Sequence, residues 1–558
     1  MSRFFKHRWL LLAALVGLVA SFPPQWYPDA WRIELSQWLG APAYRALPES
    51  EPAAPRSVRA YCPEETPDYR AEYNIAGVRI SASPVCQADN PWAVAAFVRG
   101  TNQVGPEVLM KSGLAPDTVE KGADLDGDGD PDEIHIRLEV AELNGASPES
   151  SEPVMQFEMA PGIKPGLWVF TPRYVGMATE NFESLRAREG IRAPSPAIRV
   201  EQGDRVLITL ENTHYMPHTL HLHGSDHAFR DVSGEGNDGV PIASELPIMP
   251  GQSRTYELQL RNTGTKFYHC HVQPQVHVMM GLQGLFIIEE NRPDNWLQTL
   301  NIGAGHVRAS SVGVRAQYDR EYDLHYTDVD AELNSMIQAS NDVRTVTESM
   351  HRRYDVTEAT SDYFALNGLS FPFTFRESLV LTKPGERIKL RVVNGGRDGM
   401  GLHTHGHTMT VTHRDGIASP PAARVTRDVV WIAPAQRLDL ELDTRNDGIG
   451  AFGPGIWLFH DHGSRAITSD GIGPGGHISA IVYEQELGPD GWPRTSGVSW
   501  DPFFTEAYYQ RRLPVWEAYA PGWFGEAGSD GRLLLRIILM AFFLGLFLAL
   551  LMDSARRA

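Results

Sequence analysis

The chain has 558 residues, only three cysteines and a formal net charge of −19 at neutral pH. That length allows several domains, the cysteine count excludes a disulfide-dense scaffold, and the acidity argues against nucleic acid as a partner. The 51 glycines and 39 prolines suit short strands joined by many turns.

At the amino end Arg3, Lys6 and Arg8 lead into an apolar run at 9–22. Residues 1–22 therefore read as a signal peptide or a short signal anchor. Residues 23–57, rich in Pro, Trp and Ala, read as a spacer. Residues 58–160 belong to no recognisable unit. They hold Cys62 and Cys86, which read either as a disulfide of an oxidising compartment or as two separate thiols. They also hold Asp124, Asp126, Asp128, Asp130 and Asp132, spaced by glycines. Alternate carboxylates with a Gly turn are what a calcium loop of EF-hand type needs. The Glu expected at its twelfth position is replaced by His135, and the run after it alternates like a strand. A strand-flanked Ca2+ loop and a solvated acidic turn are the two readings.

Residues 165–295 read as a β-domain. The 198–201 run, the Gly203-Asp204 turn and the 206–210 run make strand, turn, strand. Two histidine segments follow. In a strand, side chains alternate faces. His221 and His223 then share one face, as do His269 and His271, while Cys270 points the other way. His218, with parity opposite to His221, pairs with Cys270. A thiolate with two imidazoles is the ligand set of a blue-copper site, and His277 is the natural second imidazole.

Residues 296–350 read as a connector with a helix near 330–337. The β grammar resumes in 351–490, and the repeats match in detail. Gly385-Glu386-Arg387 echoes Gly203-Asp204-Arg205, Asn394 echoes Asn212, His403 and His405 echo His221 and His223, and His460 and His462 echo His269 and His271. Met400 stands in the place of His218 and Asp461 in that of Cys270, so the second copy loses its blue-copper face and keeps its histidine face. Residues 491–532 read as a membrane-proximal linker. The apolar run 533–552, broken only by Arg536 and followed by Arg556 and Arg557, reads as a transmembrane helix. The positive-inside rule then puts the bulk of the chain on the extracytoplasmic side, periplasmic or cell-surface.

The segments PHTLHLHG and YHCHVQPQVHVMMGLQG resemble the HxxHxH and HCH signatures of the multicopper oxidases, with two more residues than usual between Cys270 and His277. The resemblance covers about residues 165–490 and is nearest to two-domain laccases and copper nitrite reductases. It implies an all-β fold of two cupredoxin domains, besides the amino-terminal β-rich segment and terminal membrane helices. It also implies four coppers per chain. His218, Cys270 and His277 would hold the type 1 copper, with Leu282 at the axial position and Met279 and Met280 close enough to compete. His221 and His403 would hold the type 2 copper. His223, His269, His271, His405, His460 and His462 would hold the type 3 pair. Electrons from a small donor would enter at His218 or His277 and pass through Cys270 to reduce O2 to water. Asp226 and Asp461 are the candidate proton carriers, although strand parity aims Asp461 away. Assembly would be a homotrimer. The rival readings are a two-domain copper nitrite reductase and a membrane-tethered copper-binding protein. His214, His227, His407, His413 and His477 read as outer-layer or surface residues. Phenols, Cu(I), Fe(II) and Mn(II) all stand as donors.

Overall fold

The computed structural model describes residues 2–20, 73–75, 78–80, 117–146, 155–173, 191–488 except 296, 298, 308 and 309, then 492–495, 500–511 and 530–557. Cys62, Cys86 and the 23–57 spacer lie outside these residues. The chain divides into two compact units. One holds the helices Ser2–Ala20 and Asp530–Arg557. These touch where Gly17 exposes its backbone, since a Cβ there would lie 2.4 Å from the Phe543 ring. Among the described residues no helix is long and apolar enough to cross a membrane. The expectation of a spanning helix at 533–552 is therefore not supported. Arg536 interrupts the apolar run.

The other unit is the all-β body, and it holds two sandwiches of the same design. In the first, one sheet orders Val119–Lys121, Glu133–Leu143, Arg205–Glu211 and Ser253–Gln259, with Leu167–Pro172 also on Glu133–Leu143. The facing sheet orders Leu300–Asn301, Ala197–Glu201, Gln283–Glu289, Gly264–His269 and His221–His223. In the second sandwich, Arg320–Val329, Arg387–Asn394, Arg437–Asp443 and Met409–Arg414 form the spine of one sheet. Val380–Thr382, Ile478–Tyr483, Ile456–Asp461, Met400–Thr404 and Val429–Ile432 form the other.

Both sandwiches begin two strands earlier than the sequence reading placed them, at Val119–Lys121 and Glu133–Leu143 in the first and at Gly305–His306 and Arg320–Val329 in the second. Glu133–Leu143 runs parallel to Arg205–Glu211, and Arg320–Val329 runs parallel to Arg387–Asn394. Residues 117–146 and 320–329 thus belong to the sandwiches, not to an unassigned segment and a connector. A parallel partner needs a long crossover and leaves no hairpin signal in the sequence. The expected helix is present at Ala331–Ala339, capped by the Asp330 carboxylate, which accepts from the Leu333 N–H.

The two sandwiches meet through Phe267, Leu285 and Ile287 of the first and Val393 of the second. Beside them lies a buried ionic cluster. Arg199 reaches Glu289 at 3.1 Å, Glu321 at 3.2 Å and Asp323 at 3.0 Å. Arg391 reaches Glu289 at 2.6 Å, Asp439 at 3.1 Å and also Glu321. Lys389 lies 3.4 Å from Asp439. Burial alone would raise the Asp439 pKa, but Lys389 and Arg391 hold it well below the ordinary carboxylate value.

Candidate metal centres

The strand register builds the first histidine cluster. His269 sits opposite His221 and Phe267 opposite His223 in antiparallel pairing. Alternation then gathers His221, His223, His269 and His271 on one face, with neighbouring ring centroids 4.9 to 5.6 Å apart. The second sandwich repeats this. His403 sits opposite His460, and the rings of His403, His405, His460 and His462 lie 4.8 to 5.6 Å apart.

The ring nitrogens are oriented alike in both copies. Nδ1 of His269 faces the Cys270 carbonyl at 2.8 Å, and Nδ1 of His460 faces the Asp461 carbonyl at 2.9 Å. Nδ1 of His221 faces the Asp238 carbonyl at 2.6 Å, and Nδ1 of His403 the Asp428 carbonyl at 3.1 Å. A carbonyl can only accept, so each Nδ1 carries the proton and each Nε2 keeps a lone pair for a metal. Across each cluster Nε2 atoms converge, His223 to His269 at 2.8 Å and His405 to His460 at 3.2 Å. Burial lowers the pKa of His223 to about 4 and of His269 to about 3, and lowers those of His221, His405 and His460. These imidazoles are neutral at neutral pH, the state that binds metal. Among the described residues each ligand-sized group draws on one quartet only.

Cys270 faces the other way, as its parity requires. Its Sγ lies 3.6 Å from His218 Nδ1 and 3.4 Å from His277 Nδ1. All three residues are fully buried. Burial pushes the thiol up to about 12 and depresses both imidazoles. A thiol so held stays protonated until a cation replaces its proton, as in a thiolate metal site. The two extra residues before His277 form a helical turn, Pro274–His277, entered through Gln273 at φ 43°. Leu282 and Met280 are both buried in the apolar cluster that contains Cys270, and Met279 packs against it.

Both imidazoles that face Cys270 have a further histidine behind them. His218 Nε2 lies 2.9 Å from His214 Nδ1, and His214 Nε2 lies 3.5 Å from Glu142. The Glu142 carboxylate also accepts from Trp168 Nε1 at 2.9 Å and from the Tyr215 hydroxyl at 2.5 Å. His277 Nε2 lies 3.2 Å from His351 Nε2. His351 was not singled out in the sequence, because it is 74 residues away from His277 in the chain.

Among the described hydrogen bonds and ion pairs, neither candidate proton carrier's carboxylate engages an imidazole of the two quartets. Asp226 is held by Arg261 and Asn262. Asp461 accepts from the Gly401 and Gly463 N–H groups and faces His477 at 3.6 Å. The carboxylates that do approach ligands are Asp238, 3.4 Å from His221 Nδ1, and Asp428, 3.8 Å from His403 Nδ1. Of the other histidines, His227 backs Asp238 at 2.9 Å, while His407 reaches the Tyr483 hydroxyl at 2.9 Å and His413 lies 3.4 Å from Asp439 of the ionic cluster. In the acidic loop only Asp124, Asp126 and Asp132 converge. Asp130 instead accepts from the Asn295 N–H, Asp128 from the Asp130 N–H, and His135 turns to Thr209.

Two sequence-family profiles, both described as multicopper oxidase, match residues 190–293 and 340–470. The chain is 27% identical over 282 residues to the iron transport multicopper oxidase FET3 of Saccharomyces cerevisiae, which spans 49% of this chain and 37% of that protein. It is 27% identical over 289 residues to the oxidoreductase OpS5 of Beauveria bassiana, spanning 51% of this chain and 44% of that one. Among solved structures it is similar to the multicopper oxidase mgLAC, with a TM-score of 0.47 and 24% identity over 67% of this chain and 94% of that one. The chain spans less than half the length of these two curated relatives. Both profiles fall on the two histidine-bearing sandwiches, which supports the multicopper oxidase family for these two regions of the chain.

Proposed function

We propose that the protein is an oxidase that takes single electrons from a small donor at a type 1 copper and reduces O2 to water at a three-copper centre. His218, Cys270 and His277 would hold the first copper, with Leu282 buried in the apolar cluster around Cys270. His221 and His403 would hold the type 2 copper, and His223, His269, His271, His405, His460 and His462 the type 3 pair, four coppers per chain in all. The donor sets suit the metal: soft thiolate with imidazole on one side, neutral imidazoles alone on the other. Bound copper supplies the one-electron redox chemistry and the binding of oxygen. The chain supplies the route, because Cys270 is covalently continuous with His269 and His271. It also supplies orientation, since backbone carbonyls hold four ligand rings with Nε2 outward. Asp238 and Asp428 are the carboxylates placed to carry protons toward His221 and His403.

The observation that carries this reading is the pair of matched half-sites, each on a different sandwich. Among the described residues each ligand-sized group draws on one quartet only, which supports a centre formed between copies. Exposed apolar residues beside each half support this. Ile242 and Leu246 are 95% and 81% exposed, a few residues beyond the Asp238 that holds His221. Trp431 and Val429 lie on the strand paired with the His403 strand, and Trp431 is 65% exposed. Two unlike patches on one chain make a head-to-tail contact, which a ring of copies closes; a homotrimer is the ring proposed.

The test is complementation. His223→Ala and His405→Ala each remove oxygen uptake. Co-expressed in equal amounts, the two chains should recover activity at about one quarter of the sites, those pairing an intact first half with an intact second half. A centre built within one chain gives no recovery.

A further inference from the structure

Neither ligand of the Cys270 site offers a ring edge to solvent. His218 and His277 are both fully buried. The outer nitrogen of His218 is covered by His214, itself buried and backed by Glu142. The outer nitrogen of His277 is covered by His351 at 3.2 Å, with the two rings stacked at 28° and 5.3 Å between centroids. His351 is only half-buried. It sits in the helical turn Ser349–Arg353, whose Met350 is buried in the same apolar cluster as Cys270. The segment between the sandwiches thus lies over the site and brings one imidazole from the surface to the ligand.

We propose that His351 is the port through which electrons reach the type 1 copper, and that its donors are neutral or anionic molecules rather than divalent metal cations. The proposal rests on the copper reading above. The donor would meet the outer edge of His351 and lose one electron, and that electron would pass through the stacked rings of His351 and His277 to reduce copper(II) to copper(I). No atom or proton changes place between donor and protein. The charge class follows from the surroundings. A hard divalent cation is recognised by carboxylate oxygens, and no carboxylate contacts His351 among its described partners. Its neighbour Arg352 is exposed and forms no ion pair among the described residues, whereas Arg353 is taken up by Glu348 at 2.7 Å. A free guanidinium at the port draws anions in an otherwise acidic chain.

The experiment is anaerobic stopped-flow reduction of the copper-loaded full chain, followed by loss of its blue absorption, with ferrocyanide as the anionic probe and hexaammineruthenium(II) as the cationic one. His351→Leu should keep the blue absorption and copper content and lose most of its reduction rate with both probes. Arg352→Glu, a surface change that leaves His351 in place, should slow ferrocyanide about tenfold, speed the ruthenium complex, and lose both effects in high salt. An unchanged rate in His351→Leu with the blue absorption intact would overturn this inference alone. So would an Arg352→Glu chain that treats the two probes as the wild type does. Absence of blue absorption from the wild-type copper-loaded protein would overturn the copper reading and this inference with it.

Discussion

The cluster between the sandwiches gives a prediction whose size follows from its contacts. Arg199, Arg391 and Lys389 face Glu289, Glu321, Asp323 and Asp439, all but out of water. Arg391→Met leaves two cations against four carboxylates. Removing one partner of a buried pair costs roughly 3–5 kcal/mol. The lower end applies here, because Glu289 and Glu321 each keep Arg199 and Asp439 keeps Lys389. About 3 kcal/mol corresponds to a fall in thermal midpoint of roughly 6–12 °C. The double change Arg391→Met with Glu321→Leu removes one carboxylate as well and should recover a large part of the loss. The pH response supplies a second check. Asp439 is held below its ordinary pKa, so its contribution is present above the unfolded value of about 4 and is lost as pH falls through the folded one. With Arg391 gone the depression shrinks, so acid unfolding should begin at higher pH. Scanning calorimetry from pH 3 to 7 reads both. A single variant within about 0.5 kcal/mol of wild type, or a double variant no more stable than the single, would refute the reasoning.

Two further changes test other parts of the fold. Asp204 is raised to about 8 by burial, and its carboxylate accepts from the Glu201 N–H at 2.8 Å. A raised acid stabilises below its unfolded pKa of about 4 and loses that contribution as pH climbs toward the folded value; Asp204→Asn keeps the acceptor, so the drop in thermal midpoint between pH 5 and 8 should shrink, and an unchanged drop counts against the assignment. Gly239 lies at φ 78°, and a Cβ there would stand 2.1 Å from the Leu220 carbonyl and 2.9 Å from the His221 N–H nitrogen. Gly239→Ala should therefore displace the His221 strand, seen as loss of the type 2 copper resonance with the blue absorption retained; loss of both together would mean global unfolding instead.

Strand parity was enough to read the two faces of each histidine strand. The period of two is local, so His221, His223, His269 and His271 fall together from spacing alone, and Cys270 falls opposite. What the spacing could not carry was contact across the chain. Glu133–Leu143 and Arg320–Val329 reach their parallel neighbours only after some sixty residues, and that separation erases any periodic link. Asp238 approaches His221 from a loop with no strand grammar, and Asp428 approaches His403 from the one-residue bend between the strands Val425–Arg427 and Val429–Ile432. Asp226 was favoured for nearness in sequence to His223, yet Arg261 and Asn262 draw its carboxylate elsewhere.

One signal in the repeat does lead to an outer-layer residue. Asn212 donates to the Met216 and Ile248 carbonyls, and its Oδ1 accepts from the His214 N–H at 3.0 Å. Asn394 donates to the Asp398 and Ile432 carbonyls, and its Oδ1 accepts from the Gly396 N–H at 2.9 Å. The two turns are the same device, so position 214 corresponds to 396 and position 218 to 400. The copy that has Met400 and Asp461 in place of His218 and Cys270 also has Gly396 in place of His214. His214 therefore goes with the metal face and not with the turn, since the turn closes equally well on glycine. Its ring bonds His218 on one side and faces Glu142 on the other, and that pairing leaves Nδ1 of His218 to face Cys270. All five residues between Asn212 and His218 differ from those between Asn394 and Met400, and among the five it is His214 whose ring bonds His218, so the contact and not the mere difference assigns it to the metal face.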